Sequence, residues 1–320
     1  MAEFKKKVAA VVGPTASGKT SLAVMLCQAL SGEVVSCDSM QIYKGMQIGT
    51  AAPTEEEMQG IPHHLIGFVS PDEEFSVARY CELAKKCIDG IVARGNLPVI
   101  TGGTGLYFNS LIDNIEFFEE DNNGECRAQL KLRAQTEGAQ VLLDELYAID
   151  PETAKALHVN NLGRIIRALE VYLLTGKTLS ETKRLSRLKG SELDPVIIGL
   201  DARDRSFLYD RINRRVDMML ESGLVDEAKR FYSLYSGKTS SQAIGYKEFL
   251  PYLNGEKSLE ECAEQLKLQT RHYAKRQLTW FKKDERIRFL MIDDYSCAEE
   301  LFEEALKIIK EGMQCADKHK

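Results

Sequence analysis

The sequence is short of several things, and each shortage removes a class of protein. It has one tryptophan and eight prolines in 320 residues. No stretch approaches the ~20 apolar residues of a transmembrane helix, so a helical membrane protein is excluded and no membrane partner is expected. Positive charge is not in excess: Lys plus Arg number 42 against 48 Asp plus Glu, a net charge of −6. That excludes a protein that coats nucleic acid by bulk charge. It leaves open a local basic patch that reads one folded RNA. The eight cysteines form no C-x-x-C pair, and no Cys/His set has zinc-ligand spacing. They read as reduced, mostly buried thiols of a cytoplasmic protein. Internal repeats and low-complexity linkers are missing too. What remains, 44% hydrophobic and 28% charged, is ordinary globular composition. At ~100–200 residues per domain, the length suits about two domains, or one domain with a large insertion.

Short apolar runs supply the first structure. Residues 7–12, Lys-Val-Ala-Ala-Val-Val, read as a buried parallel strand rather than a leader, because the run is short and feeds a motif that a folded domain needs. A helix is expected over 19–30 and strands over 33–37 and 96–101. Between those strands, residues 76–94 carry apolar side chains at helical spacing. Strands alternating with helices imply α/β architecture with a parallel sheet. The alternation stops near 115. Residues 116–188 are charge-dense and read as helices near 127–137, 140–149, 151–157 and 161–174, parted by turns such as Asn122-Asn123-Gly124. Strand character returns at 195–200. We therefore expect a core of residues 1–115, a helical insertion over 116–190, and a resumed core over 191–320. The resumed core contains a helix over 204–223 and a long, basic helix opened by the capping box Ser258-Leu259-Glu260-Glu261.

Gly13-Pro14-Thr15-Ala16-Ser17-Gly18-Lys19-Thr20 fits G-x-x-x-x-G-K-[ST] in full, between a predicted strand and a predicted helix. Glycines let backbone N–H groups wrap an anion, the helix N-terminus adds its dipole, and Lys19 adds a full charge. The Thr20 hydroxyl can hold Mg²⁺ bridging phosphate oxygens. The cradle specifies a di- or triphosphate, not a reaction. A P-loop nucleotidase carries a second apolar strand ending in an acid that supports Mg²⁺. Here that strand ends Val99-Ile100-Thr101-Gly102-Gly103-Thr104, without one. The acid follows the second strand instead, as Asp38.

Gly13–Thr20, the block from Asp38-Ser39-Met40-Gln41 to Thr50-Ala51, Pro62-His63-His64-Leu65-Ile66 and Gly102–Tyr107 together resemble the tRNA dimethylallyltransferase (isopentenyl-tRNA transferase) family. So do Arg164–Glu170 with Gly176-Lys177, Ala243–Glu248, and Ala274–Phe281. The likeness spans nearly the whole chain in order, and its motifs are unlike generic P-loop motifs. It implies a P-loop core with a helical insertion. The implied reaction moves a dimethylallyl group from its diphosphate to the exocyclic 6-amino group of the adenosine 3′ of a tRNA anticodon. It implies Mg²⁺, a cradle that holds prenyl diphosphate rather than ATP, and an insertion that grips the anticodon stem-loop. No Cys/His module follows residue 281, which resembles the bacterial type, and a monomer is expected. The stretch Asn160-Asn161-Leu162-Gly163 departs from the Asp-Pro-Gln common in the family.

Roles follow residue by residue. An aromatic amine is a poor nucleophile, and a carboxylate in reach can accept its proton, so Asp38 is the candidate base. Lys19, Thr104 and Arg215 are the candidate donors to the leaving diphosphate; Arg211 and Arg215, four apart, share a helix face. The resemblance assigns tRNA contacts to Asp38, Ser39, Met40, Gln41, Arg127, Gly163, Arg164, Arg167, Lys275, Arg276 and Gln277. Trp280 and Phe281 continue an apolar stripe and read as core. His63 and His64 are given no chemistry. Three rivals share features of this pattern: a P-loop small-molecule kinase, an adenylate isopentenyltransferase acting on free nucleotides, and a catalytically idle RNA-binding P-loop protein.

Overall fold

Six parallel strands form one sheet in the computed structural model, which describes residues 5–115, 117, 124–235 and 239–315. The strands are β1 (Lys6–Val12), β2 (Gly32–Ser36), β3 (His63–His64), β4 (Leu97–Gly102), β5 (Leu193–Asp201) and β6 (Ile287–Met291), in the order β3-β2-β4-β1-β5-β6. Residues Val8 to Val12 of β1 are fully buried, as a strand covered on both faces requires. Burying each such valine contributes about 1.5–3 kcal/mol relative to exposure. Helices α1 (Lys19–Leu30) and α2 (Val77–Ala93) stand where the apolar spacing puts them. A short helix, α3 (Gly105–Ile112), follows β4.

Chain order and sheet order together locate the site. From β1 the chain builds to one side, as β2, β3 and β4, and later to the other, as β5 and β6. Registers Val12↔Gly102 and Ser36↔Thr101 bring the loops leaving β1, β2 and β4 together at one sheet edge. In open α/β sheets, ligands sit outside the carboxyl ends of the strands at such a reversal.

Two compact units result, Met1–Leu111 with Glu192–Lys320, and Ile112–Ser191. The second unit contains α4 (Glu125–Thr136), α5 (Ala139–Ile149), α6 (Pro151–Lys155), α7 (Leu162–Thr175) and α8 (Leu179–Lys189), packed around Leu130, Leu142, Leu146, Ile165 and Leu169. No strand occurs among its described residues. Residue 116, the expected boundary, and the turn residues Asn122 and Asn123 lie outside the described residues. On return, β5 pairs with β1 from Lys6↔Leu193 onward, so the sheet resumes directly.

The resumed core holds α9 (Arg205–Glu221), α10 (Leu224–Leu234), α11 (Leu259–Phe281) and α12 (Ala298–Cys315). The capping box of α11 is formed: Ser258 Oγ accepts from Glu261 N at 3.2 Å, and Glu261 accepts from Ser258 N at 2.8 Å. Sequence reading passed over β3, which is two residues long, and β6, which lies in a basic stretch. The basic helix accordingly ends at Phe281, and Arg288 belongs to β6. The seven cysteines whose side chains are described are free thiols, and Cys27, Cys37, Cys81 and Cys262 are buried. No described helix is long and apolar enough to cross a membrane.

Candidate active site

The loop from Gly13 to Thr20 runs from β1 to α1 in a conformation that its sequence permits. Gly13 has φ 146°, and a Cβ there would stand 2.6 Å from the Leu200 carbonyl oxygen. Any side chain would push β5 away from the loop. Ser17 Oγ donates to the Pro14 carbonyl at 2.8 Å, and Lys19 Nζ donates to the same oxygen at 2.6 Å. From α9, Arg211 Nε donates to Ala16 O at 2.8 Å and Arg215 Nη2 to Ala51 O at 3.3 Å. The shared face expected for Arg211 and Arg215 therefore looks onto the cradle, whereas the exposed Arg214 bonds within its own helix.

These cations carry an electrostatic cost. Burial first, then the nearby Arg215 guanidinium, lowers the Lys19 pKa to about 7, against the opposing pull of Asp38. Burial likewise lowers the pKa values of Arg215 and Arg211. Like charges gathered in a desolvated cleft favour an anion among them.

Asp38 leaves the C-terminal end of β2. Its Oδ1 accepts from Met40 N at 2.8 Å and Gln41 N at 3.3 Å, which fixes the carboxylate plane. The structure gives Oδ2 no hydrogen bond among the described residues. Thr104, beyond β4, is tied to the same loop: Ser39 N donates to Thr104 Oγ1 at 2.9 Å, and Thr104 Oγ1 donates to Ser39 Oγ at 3.2 Å. Such closeness requires Gly102, whose Cβ would collide with the Cys37 carbonyl. Gln41 is turned inward, its Nε2 donating to Thr50 O at 3.3 Å and Ala51 O at 3.0 Å.

Sequence reading missed Glu227. This buried carboxylate on α10 accepts from the backbone N–H groups of Gln47, Ile48 and Gly49 at 2.9–3.0 Å and from the Tyr246 hydroxyl at 2.7 Å. It holds the segment that ends in Thr50-Ala51, against which Arg215 and Gln41 bond. Its only signal in the sequence is an acid in the first turn of an amphipathic helix, which solvated faces also show.

Helix α11 brings Gln277 into the core rather than onto an exposed face. Its Oε1 accepts from Thr15 N at 2.9 Å and its Nε2 donates to Gly103 O at 2.9 Å. The side chain expected to meet RNA thus links the cradle to the loop after β4. Lys275 and Arg276 are exposed, with the Arg276 guanidinium 5.7 Å from the Tyr273 ring centroid. Phe281 is fully buried, as expected of a core residue, whereas Trp280 is 38% exposed, one edge of its ring lying against Gly105. Within the basic run, Arg271 donates to Asn213 Oδ1 at 2.8 Å and Lys282 pairs with Asp201 at 2.8 Å.

In the helical unit, Arg127 from α4 and Arg167 from α7 converge on the buried Glu170. Arg127 donates from Nε at 3.0 Å and Nη2 at 2.7 Å, and Arg167 from Nη1 at 2.7 Å. The two arginines lower the Glu170 pKa against the opposing effect of burial, which is the larger single influence. Arg164 and Gly163 are exposed. At the opposite edge of the sheet from the cradle, His64 bonds the Glu33 carboxylate at 2.7 Å and His63 donates to Ile61 O at 2.8 Å, which is structural use.

A metal implied at Thr20 can be tested against the donors present. No group of three His, Cys, Asp or Glu side chains able to hold an ion occurs among the described residues. Thr20 stands in the first turn of α1, beneath the cradle. That donor set suits Mg²⁺, which keeps several waters and shares phosphate oxygens, and does not suit an all-protein cage.

Comparison with known proteins follows the same outline. The IPP transferase family model matches residues 41–284 and the isopentenyl transferase model residues 6–67. A tRNA dimethylallyltransferase of Caldanaerobacter subterraneus subsp. tengcongensis is 51% identical over 300 residues, covering 93% of this chain and 95% of that one. The full-length tRNA isopentenylpyrophosphate transferase of Bacillus halodurans superposes with TM-score 0.72 at 44% identity, over 98% of this chain and 100% of that one. A eukaryotic dimethylallyltransferase solved acting on tRNA gives TM-score 0.75 at 32% identity, over 90% of this chain and 74% of that one.

Proposed function

We propose the activity of this chain from one premise: it belongs to the IPP transferase family. It is a prenyltransferase that modifies tRNA, moving a dimethylallyl group onto the exocyclic 6-amino group of the adenosine 3′-adjacent to the anticodon and releasing diphosphate. The donor is dimethylallyl diphosphate, seated in the Gly13–Thr20 cradle. The observation that carries this reading is Asp38, a carboxylate with a spare oxygen, standing beside a phosphate cradle whose cations form no ion pair with a carboxylate among the described residues.

The bond from the prenyl carbon to the diphosphate oxygen breaks, and a bond from the amine nitrogen to that carbon forms. The nitrogen's proton passes to Asp38, and diphosphate leaves with the bonding pair. Lys19, Arg215 and Thr104 donate toward the oxygens that gain charge. Such donors act most strongly in a site that excludes water. Thr20 would hold Mg²⁺ through its hydroxyl, and the ion would supply neutralisation of charge on the leaving diphosphate.

The anticodon stem-loop is the RNA element gripped. Ser39, Met40 and Gln41 meet the target nucleoside, and Arg127, Gly163, Arg164, Arg167, Lys275 and Arg276 meet the RNA backbone. The enzyme works as a cytoplasmic monomer. Incubation with radiolabelled dimethylallyl diphosphate and total tRNA, AMP or ATP tests the reading. Label is expected in tRNA alone. Label in AMP or ATP but not tRNA would transfer the chain to the nucleotide-prenylating reaction.

A further inference from the structure

We propose that Glu227 is a positioning residue of the transfer site: from α10 it fixes the turn of residues 47–51, and through the Ala51 carbonyl it sets where the Arg215 guanidinium stands. The inference deepens the reading above and rests on its placing of diphosphate beside Arg215. Two consecutive helices hold the turn. Its N–H groups go to Glu227 of α10: Gln47 N and Ile48 N donate to Oε2 at 3.0 Å each, and Gly49 N donates to Oε1 at 2.9 Å. Its carbonyl end goes to α9: Ala51 O accepts from Arg215 Nη2 at 3.3 Å. The same oxygen accepts from Gln41 Nε2 at 3.0 Å, and the backbone N–H of Gln41 donates to Asp38 Oδ1 at 3.3 Å. One carbonyl thus joins a donor toward diphosphate to the loop of the candidate base.

The turn does not owe this shape to its own sequence. Ala51 has φ 48°, in the left-handed region that a residue with a Cβ adopts only at a cost. Such a conformation persists where the surroundings over-determine it, and it gathers at functional sites. The surroundings here are Glu227 and Tyr246. A Cβ on Gly49 would stand 2.4 Å from the Tyr246 ring, and the Tyr246 hydroxyl donates to Glu227 Oε1 at 2.7 Å. All four partners of Glu227 are therefore donors, three N–H and one O–H. An ionised carboxylate accepts on both oxygens, whereas a glutamine accepts on one and donates from the other end. In either orientation of that amide, its NH₂ would face at least one backbone N–H. The position of Glu227 in the first turn of α10 favours the negative charge the turn requires.

Glu227→Gln keeps the size of the side chain and removes one acceptor. Binding of inorganic diphosphate, measured by calorimetry well below the thermal midpoint, is expected to weaken about tenfold, the scale of one charge-assisted hydrogen bond. Arg215→Ala alone should weaken it at least as much. Adding Glu227→Gln to Arg215→Ala should then cost no further diphosphate affinity, because the acid reaches the anion only through that guanidinium. A role in the fold alone would lower the thermal midpoint and leave the affinity of the folded protein unchanged. Should Glu227→Gln not fold, Tyr246→Phe removes one of the four donors, keeps the ring and carries the same test, with an expected loss of about threefold. Wild-type diphosphate affinity in the folded variant overturns the inference. So does an equal further loss in the Arg215→Ala background. A wild-type chain that neither binds diphosphate nor prenylates tRNA overturns the underlying reading, and this inference with it; failure of the inference alone leaves both wild-type activities intact.

Discussion

The two edges of the parallel sheet treat buried charge in opposite ways. At the edge where β2 begins, the buried Glu33 is saturated. Arg94 donates from Nε at 2.9 Å and Nη2 at 2.7 Å, Asn96 donates at 2.8 Å, and His64 bonds at 2.7 Å. At the other edge, Lys19, Arg211 and Arg215 bond to the backbone carbonyls of Pro14, Ala16 and Ala51. Desolvation lowers all three pKa values. A saturated charge stabilises the fold. A charge left on carbonyl oxygens costs folding energy and is recovered when an anion arrives. Neutralisation is not a property of the edge as such: Asp201, ending β5 beside the cradle, is held by Arg205 and Lys282. Lys19, Arg211 and Arg215 have no such ion-paired partner among the described residues.

The largest expected effect tests what the uncompensated edge is for. Asp38→Asn keeps the shape and the Oδ1 contacts to Met40 N and Gln41 N but cannot take a proton. Loss of a general base costs ~10²–10⁴ in rate, while binding of diphosphate and tRNA should stay within several-fold, because only the transition state needs the basicity. Single-turnover assays beside equilibrium binding separate the two. A near-normal rate would make Asp38 a turn residue.

Next in size is Lys19→Ala. It should weaken binding of inorganic diphosphate by roughly a hundredfold, the scale of a lost charge-assisted contact. The thermal midpoint should hold or rise, since the variant removes a desolvated cation that Arg215 repels. A midpoint lowered by several degrees would break the contrast between the edges.

Glu33→Gln should do the reverse. Arg94, Asn96 and His64 lose their charged partner, and stability at neutral pH should drop by about 1–2 kcal/mol, the partly solvated guanidinium limiting the loss. Diphosphate affinity should not move. Hydrogen bonds from Arg94, ahead of the opposing burial, hold the Glu33 pKa at about 2, below the ordinary value of 4.5. The folded state therefore binds that proton less readily than the unfolded chain. Its stabilisation is complete above pH ~4.5 and is lost as pH falls toward 2. Denaturation by urea across that range should show the slope in the wild type and its removal in the variant.

How far the sequence discloses these edges depends on how local each cause is. The cradle is legible because its glycines, its lysine and its flanking strand and helix are contiguous. Arg211 and Arg215 are legible as a face because helical spacing alone aligns them. Gln277 and Glu227 are not. Each acts on a loop more than a hundred residues away, and helix periodicity marks only that it points inward. A buried side chain that bonds a backbone N–H has the same spacing as one that packs against leucine. β3 escaped because two residues give no alternation, and β6 because Arg286 and Arg288 mask a short apolar run. Arg127 and Arg167 were legible as basic residues, but their convergence on Glu170 needs the fold that joins α4 to α7.

The smallest expected effect concerns arginines and lysines that neither edge holds. Arg164 and Lys275 are exposed, whereas Arg167 spends part of its guanidinium on Glu170. A side chain on a phosphate displaces about one counterion, and each contact adds about −0.7 to −0.9 to the log–log slope of affinity against salt. Arg164→Ala and Lys275→Ala should each flatten that slope by about one contact. Arg167→Ala should flatten it too, and should also lower the thermal midpoint by leaving Glu170 with Arg127 as its remaining described partner. Titrations of tRNA at several salt concentrations, paired with melting curves, distinguish the two behaviours. Equal melting losses in all three variants would mean that Arg164 and Lys275 serve the fold, and an affinity for tRNA indifferent to salt would remove the basic patch from recognition altogether.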